Sequence, residues 1–475
     1  MAGKMTKMYK TLAKDTGLFA ISRFASKLLV FFLTPLYTYI LTTEEFGTAD
    51  LINTTIHFIY PILTLAISDA TLRYALDKET DRGAVLNNSL LITLLGSVFL
   101  MLLHPLVTSI GGISSEYWWI FVVTFTLFNV QECLANFLKG IGQTKLFAVQ
   151  GVVQTVSVIV SNILFLVVFR QGLQGYLLSI IIGHTVPIVI MLWPGKLYCH
   201  WMKISIDRKL LGSMLKYSIP MIPALLAWVA NTSIDKYMII GFWGLGESGV
   251  YSVAHKIPST MIAVLAIFTQ AWQLSAISHH GAEEESDCYT SVYKALNFVS
   301  IVVCVLIIGG AKLLAKVLFS KDFYVAWKCV PFLTVSAVFA SHTGFLASAF
   351  RAAKKTGGLL ASIILGALVN ALLNFVLIQS FGVIGAAIGT AVGFMVVWLV
   401  RIIRIQKIVR VRVPIVQTIV EYALLWLSAA WITVEWPFAY VVFALAFVGI
   451  LAMNLKQIRS VATMALGVLR KKRKP

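Results

Sequence analysis

Arg23 and Lys27 stand four residues apart in a stretch, 18–41, that is otherwise mostly apolar and long enough to cross a bilayer as one helix. At that spacing the two cations share a helix face. A charge in the hydrocarbon core is expensive, so that face is expected to look into a wet or protein-walled cavity able to hold an anion. Pro35, in the second half of the same stretch, removes a backbone hydrogen bond and invites a kink. The first helix therefore reads as a cavity wall.

Other polar residues inside apolar stretches are informative for the same reason: each must find a partner or a cavity. Lys256, between His255 and Pro258, is either a second cation on that cavity or a lysine snorkelling to the interface. Asp69 and Arg73, also four apart, could pair along one helix face, or Asp69 could reach Arg23 or Lys27 across the bundle. Gln150, Gln154, Asn162, Asn231, Gln270, Asn370 and Asn374 either line a sugar-compatible cavity or hydrogen-bond between helices. His57, His184 and His342 fall in three different stretches without ligand spacing and read as hydrogen-bonded interior histidines. Asp235 and Lys236, just past the seventh stretch, read as a solvated turn at the outer interface.

The elements that must position these residues follow from composition. Of 475 residues, 59% are hydrophobic and 12% charged, about half the charged fraction of a soluble protein, which points to an all-α integral membrane chain. Apolar runs bounded by charges or turn residues number about fourteen. Their approximate limits are 18–41, 51–72, 84–108, 117–138, 146–169, 173–195, 213–234, 249–276, 292–311, 329–350, 358–380, 383–403, 414–434 and 437–455.

The formal charge of +19 would suggest nucleic acid in a soluble protein. Here it follows from loop topology instead, and no nucleic-acid partner is expected. Lys4 to Lys14, Arg73 to Arg82, Lys196 to Lys216, Arg351 to Lys355, Arg401 to Arg412 and the tail Lys456 to Lys474 all fall on one side, the cytoplasm under the positive-inside rule. Both termini are then expected inside, with the basic tail against anionic lipid. Cys133, Cys199, Cys288, Cys304 and Cys329 show no metal or redox spacing. No phosphate-binding glycine loop, paired carboxylates or zinc motif stands out, and nothing in the chain argues for an enzyme or a bound cofactor.

The halves repeat at an offset of roughly 200 to 212 residues, an arrangement found in secondary transporters. Glu45-Phe46-Gly47-Thr48-Ala49-Asp50-Leu51 recurs as Glu247-Ser248-Gly249-Val250-Tyr251-Ser252-Val253, and Gly172, Gly175 and Gly183 recur as Gly382, Gly385 and Gly393. The expected organisation is an N-terminal six-helix bundle (1–200), a second six-helix bundle (201–412), and a terminal helix pair with a basic tail (413–475).

This repeat, the lysine-rich start, Ser218-Ile219-Pro220-Met221-Ile222-Pro223, and Asp235-Lys236-Tyr237 leading to the Gly246 to Val253 stretch resemble the polysaccharide repeat-unit flippases. These belong to the multidrug/oligosaccharidyl-lipid/polysaccharide (MOP) exporter superfamily, with the multidrug MATE exporters and the lipid II flippases. The resemblance implies a carrier in the bacterial cytoplasmic membrane that moves an undecaprenyl-diphosphate-linked oligosaccharide to the outer leaflet by alternating access. It also implies glycosyltransferases and a glycan polymerase as pathway partners, and coupling to H+, Na+ or the membrane potential, with Asp69 the candidate carboxylate. Arg23 is the position that corresponds to the family's cavity cations. Two alternatives remain at this stage: a cation-coupled multidrug exporter of the same architecture, and a membrane glycan polymerase or ligase.

Overall fold

The computed structural model describes residues 31–77, 79–105, 114–193, 197–198, 206–278, 285–353, 355 and 357–455. Arg23, Lys27 and the tail from Lys456 lie outside the described residues. Among those described there are helices and no strands, in the order α1 (Thr34–Ile40), α2 (Thr43–Leu63), α3 (Ile67–Ala75), α4 (Arg82–Leu102), α5 (Trp118–Gly140), α6 (Thr144–Asn162), α7 (Gly172–Leu192) and α8 (Arg208–Ser218). There follow α9 (Ile222–Trp243), α10 (Leu245–Ala254), α11 (Lys256–Ser278), α12 (Glu285–Leu318), α13 (Val330–Ala352), α14 (Gly357–Ile405), α15 (Ile415–Thr433) and α16 (Ala439–Met453). Nine helices among the described residues are long and apolar enough to cross a membrane, ten if the bent pair α2 and α3 counts as one span. The chain is a multi-pass membrane protein.

Two compact units divide it: Met1–Ile240 with Gly244–Gly249, and Gly241–Trp243 with Val250–Pro475. The boundary expected at 200 was drawn on repeat offset, whereas this division follows packing, and α9 up to Ile240 belongs with the first unit. Each unit has one helix buried more than its neighbours: α5 in the first and α13 in the second, the latter 89% buried. These are the fourth and tenth apolar stretches, which correspond in the repeat. In the first unit Phe121, Phe125, Leu134 and Phe137 of α5 pack against α2, α3, α4 and α7. In the second, α13 packs against α11, α12, α14 and α15.

Breaks in the helices have local causes. Thr42 and Glu45 form a reciprocal capping box that starts α2. Near its end Pro61 lacks an N–H, Leu65 and Ala66 turn left-handed (φ 51° and 50°), and α3 leaves at a 64° bend. No water reaches such a break in hydrocarbon, so the protein satisfies it: the Thr64 hydroxyl donates to the Tyr60 carbonyl at 2.7 Å and the Ala66 N–H to that of Pro61 at 3.0 Å. In α14 the break is at Gly382 (φ 56°, ψ −137°), a conformation open to glycine, and the Trp243 indole N–H covers the Ile378 carbonyl at 2.9 Å. The terminal pair α15 and α16 is fastened by Glu421, which is 1% exposed and accepts from Asn297 Nδ2 (3.0 Å), Gln417 Nε2 (2.7 Å) and Asn454 Nδ2 (2.7 Å).

The repeated Gly47 and Gly249 meet in the first unit. A Cβ on Gly47 would lie 2.0 Å from the Leu245 carbonyl oxygen, and one on Gly249 would lie 2.0 Å from that of Thr43. Backbones therefore touch at this crossing, as small residues allow in membranes. Gly47→Ala and Gly249→Ala should each destabilise the first unit by about 1–3 kcal/mol, the cost of overpacking against rigid backbone. Thermal unfolding of the detergent-solubilised protein reads this as a lowered midpoint, and an unchanged midpoint in both variants would show the contact to be loose.

Candidate functional site

In the first unit a charged and polar cluster sits within the spans, where α2 and α9 come together. Lys236 Nζ of α9 donates to Asp50 Oδ2 of α2 at 2.7 Å and lies 3.5 Å from the Thr54 hydroxyl. One residue on, the Tyr237 hydroxyl bonds that of Thr55 at 2.9 Å. The Lys236 and Asp50 side chains keep 17% and 16% exposure, so the pair is sheltered without being sealed. His57, two turns beyond Asp50 along α2, feels the charges of both.

Polar partners continue from there through the unit. The His57 ring meets Phe128 of α5 edge-on at 4.8 Å, and Phe128 meets His184 of α7 at 5.8 Å. His184 Nδ1 contacts Gln131 Oε1 at 2.5 Å, and Gln131 Nε2 donates to Gln150 Oε1 of α6 at 3.0 Å. A second polar group forms at Asp69 of α3, which feels the charge of Lys139. Lys139 Nζ donates to Asn136 Oδ1 at 2.9 Å and lies 4.4 Å above the Phe147 ring, and Asn136 Nδ2 donates to the Ser68 carbonyl at 3.2 Å.

Of the residues singled out by sequence, Asp69 is half-buried and Arg73 exposed, and no ion pair within 4 Å joins them among the described residues. Asn162 is fully buried and turns back on its own helix, Nδ2 donating to the Val158 carbonyl at 2.6 Å. In the second unit Asn374 is fully buried against Gly389 and donates to Asn370 Oδ1 at 2.5 Å. Lys256, half-buried, opens α11, its carbonyl accepting from the Ser259 hydroxyl at 2.8 Å. His342 bonds the Tyr422 hydroxyl at 3.2 Å.

Asp235 and Lys236 correct the sequence reading. They lie within α9, which continues to Trp243, and Asp235 is 2% exposed. A signal was available: Tyr237 to Trp243 is again apolar, so the run could be read through the charges as one helix. Asp50, placed by the sequence only in a repeat motif, was likewise missed as a site residue.

Arranged this way, the cluster can hold and exchange ionic partners; among the described residues no group of three or more His, Cys, Asp or Glu could hold a metal. The family model described as "Polysaccharide biosynthesis protein" matches residues 12–273. Curated proteins compared by sequence yield no match. Solved structures share the fold: the lipid II flippase MurJ in an inward closed conformation superposes with a TM-score of 0.68 at 14% identity, over 93% of this chain and 99% of MurJ. A multidrug resistance MATE family transporter of the MOP superfamily superposes in its inward-facing conformation with a TM-score of 0.67 at 16% identity (82% of this chain, 98% of that one). An outward-facing conformation of a multidrug resistance MATE family transporter of the MOP superfamily gives 0.61 at 17% identity (83% and 96%).

The Asp50 and Lys236 contact predicts a measurable coupling. Asp50→Asn and Lys236→Met should each lower thermal stability, and the double variant should lose less than their sum, by about 0.5–3 kcal/mol. Strict additivity in that cycle would mean that the two charges do not support each other.

Proposed function

The chain belongs to the polysaccharide biosynthesis protein family, and from that premise we propose that it is a flippase for an undecaprenyl-diphosphate-linked oligosaccharide repeat unit. It works as a carrier, not an enzyme, in the cytoplasmic membrane of a bacterium, with both termini inside. Its twelve-helix repeat and terminal pair alternate access to the two leaflets. The observation that carries the reading is Lys236, a cation within a span whose counter-charge Asp50 is itself partly open.

A lipid-linked diphosphate brings about two negative charges, which cannot cross hydrocarbon unpaired. In this reading the headgroup replaces Asp50 as the partner of Lys236, so the cost of baring either charge is never met in full. Arg23 and Lys27, which lie outside the described residues, and Lys256 of the second unit are further cations that this reading assigns to the anionic cargo from the sequence. Neutral partners such as Gln131, Gln150 and Thr54 suit sugar hydroxyls, while the prenyl chain stays in lipid. Export of an anion from a negative interior is favoured by about 2.3 kcal/mol per charge per 100 mV, so the membrane potential can contribute to the driving force. Proton or sodium coupling would use a carboxylate, with Asp50 and Asp69 the candidates. Glycosyltransferases and a glycan polymerase of the same pathway would supply and consume the cargo.

A second reading, export of lipophilic cations, draws on Asp50 as the receiving charge in the same cluster. The two separate in reconstituted vesicles. Lys236→Ala and Arg23→Ala should slow appearance of a lipid-linked oligosaccharide in the far leaflet at least tenfold, with Lys236→Arg retaining part of the rate. Normal translocation by a well-folded Lys236→Ala protein, or export of a cationic dye that depends on Asp50 but not on Lys236, would favour the exporter instead.

A further inference from the structure

Arg401, near the end of α14 in the second unit, is 5% exposed, and its guanidinium has no carboxylate within 4 Å among the described residues. Nε donates to the Ser362 hydroxyl at 2.9 Å and Nη1 to the Thr343 carbonyl at 2.8 Å. A guanidinium has five N–H groups, so three of them, both on Nη2 included, find no acceptor among the described residues. Burying a charge against neutral groups alone is costly, and the usual remedy, snorkelling to water, is not taken here.

The surroundings add positive charge. Arg351, at the end of α13, is the like charge that Arg401 feels. Arg404, one turn along from Arg401, brings Nη1 to 3.9 Å from where a Cβ on Gly358 would stand, over the first turn of α14. That turn presents unpaired backbone N–H groups and the positive end of the helix dipole. Arg351 and Arg404 are exposed and also have no carboxylate within 4 Å among the described residues. Arg404 thus stands over this helix N-terminus while Arg401 reaches Ser362 one turn further in and feels Arg351, a concentration of positive charge suited to a phosphate. Beside them Leu360, Ile364 and Ile403 are exposed apolar side chains at 41%, 43% and 62%, where a spanning helix meets acyl chains. Phosphate and hydrocarbon are offered together.

We infer that Arg351, Arg401, Arg404 and the first-turn N–H groups at Gly357 and Gly358 form a binding site for the phosphate of a membrane lipid. Arg401 supplies the buried fork, held in orientation by Ser362 and Thr343, and Arg404 and Arg351 close over the anion from the exposed side. The phosphate can belong to a resident anionic phospholipid or to the diphosphate of a lipid-linked cargo; the second source rests on the proposed function and the first does not.

The test uses the full-length protein in a neutral detergent, titrated with phosphatidylglycerol, farnesyl diphosphate or phosphate-free farnesol, with bound lipid counted by native mass spectrometry and folding followed by thermal unfolding. Wild type should bind at least one phosphate-bearing lipid tenfold or more tightly than farnesol. Arg401→Gln should lose that preference, and Arg401→Lys, which keeps the charge without the fork, should lose most of it. If Arg401→Gln does not fold, the exposed double variant R351Q/R404Q decides, with an expected weakening of at least tenfold. Preference for farnesyl diphosphate over phosphatidylglycerol supports a cargo subsite, and equal binding supports a resident-lipid site. Equal binding of farnesol, or unchanged binding by a folded R351Q/R404Q protein, overturns the inference. Retained phosphatidylglycerol binding by a chain that translocates no lipid-linked glycan would leave this site standing and remove the proposed function.

Discussion

Within the hydrocarbon slab water is not available to answer a polar group, so the protein must supply every partner itself. That constraint accounts for contacts with little else in common: the Thr64 hydroxyl on the Tyr60 carbonyl at a helix break, the Trp243 indole on the Ile378 carbonyl, and Lys236 on Asp50. It also separates fastening from exchange. Glu421, 1% exposed, is surrounded by three amide donors that a passing ion could displace only by breaking three hydrogen bonds together. Lys236 and Asp50, at 17% and 16% exposure, are joined by a contact that a competing ion can approach. The first arrangement suits a structural tie, and the second is the one that the proposed function draws on.

The fold was legible because its determinants are local or compositional. Run length and hydropathy mark helices, prolines and glycines mark their breaks, and the repeat pairs the fourth stretch with the tenth, which become α5 and α13, a much-buried helix in each unit. Even the division of α14 was readable, since Phe381-Gly382 separates two runs each of spanning length. The chain breaks its helix at that point because glycine can adopt a conformation other residues avoid.

The site was legible only in part, and the reason is range. Adjacent Asp235 and Lys236 depress local hydropathy as a loop does, and the partner of the Lys236 side chain is Asp50, 186 positions earlier. A polar residue type also does not tell which way it turns. Asn162 and Asn374 could be read either as cavity residues or as interhelical hydrogen bonders; the Asn162 amide donates within its own helix and that of Asn374 to Asn370 four residues back. Arg401 went unremarked as a site because its basic neighbours read together as a positive-inside signal, and only burial sets it apart from them.

Lys236 and Arg401 are two kinds of cation, and in the proposed reading the difference between them matters. A lysine is a compact point charge on a flexible stem, and one carboxylate or one phosphate oxygen satisfies it almost equally well. Its preference between partners is small, which favours release as much as capture. An arginine is a rigid fork, and with Nε and Nη1 already fixed by Ser362 and Thr343, its remaining N–H groups face a defined direction. A phosphate meeting such an edge gains several oriented hydrogen bonds at once and is held longer. Translocation needs contacts that exchange and anchoring needs contacts that persist; in the reading proposed above, the lysine on α9 suits exchange and the arginine on α14 suits holding a phosphate, whichever lipid brings it.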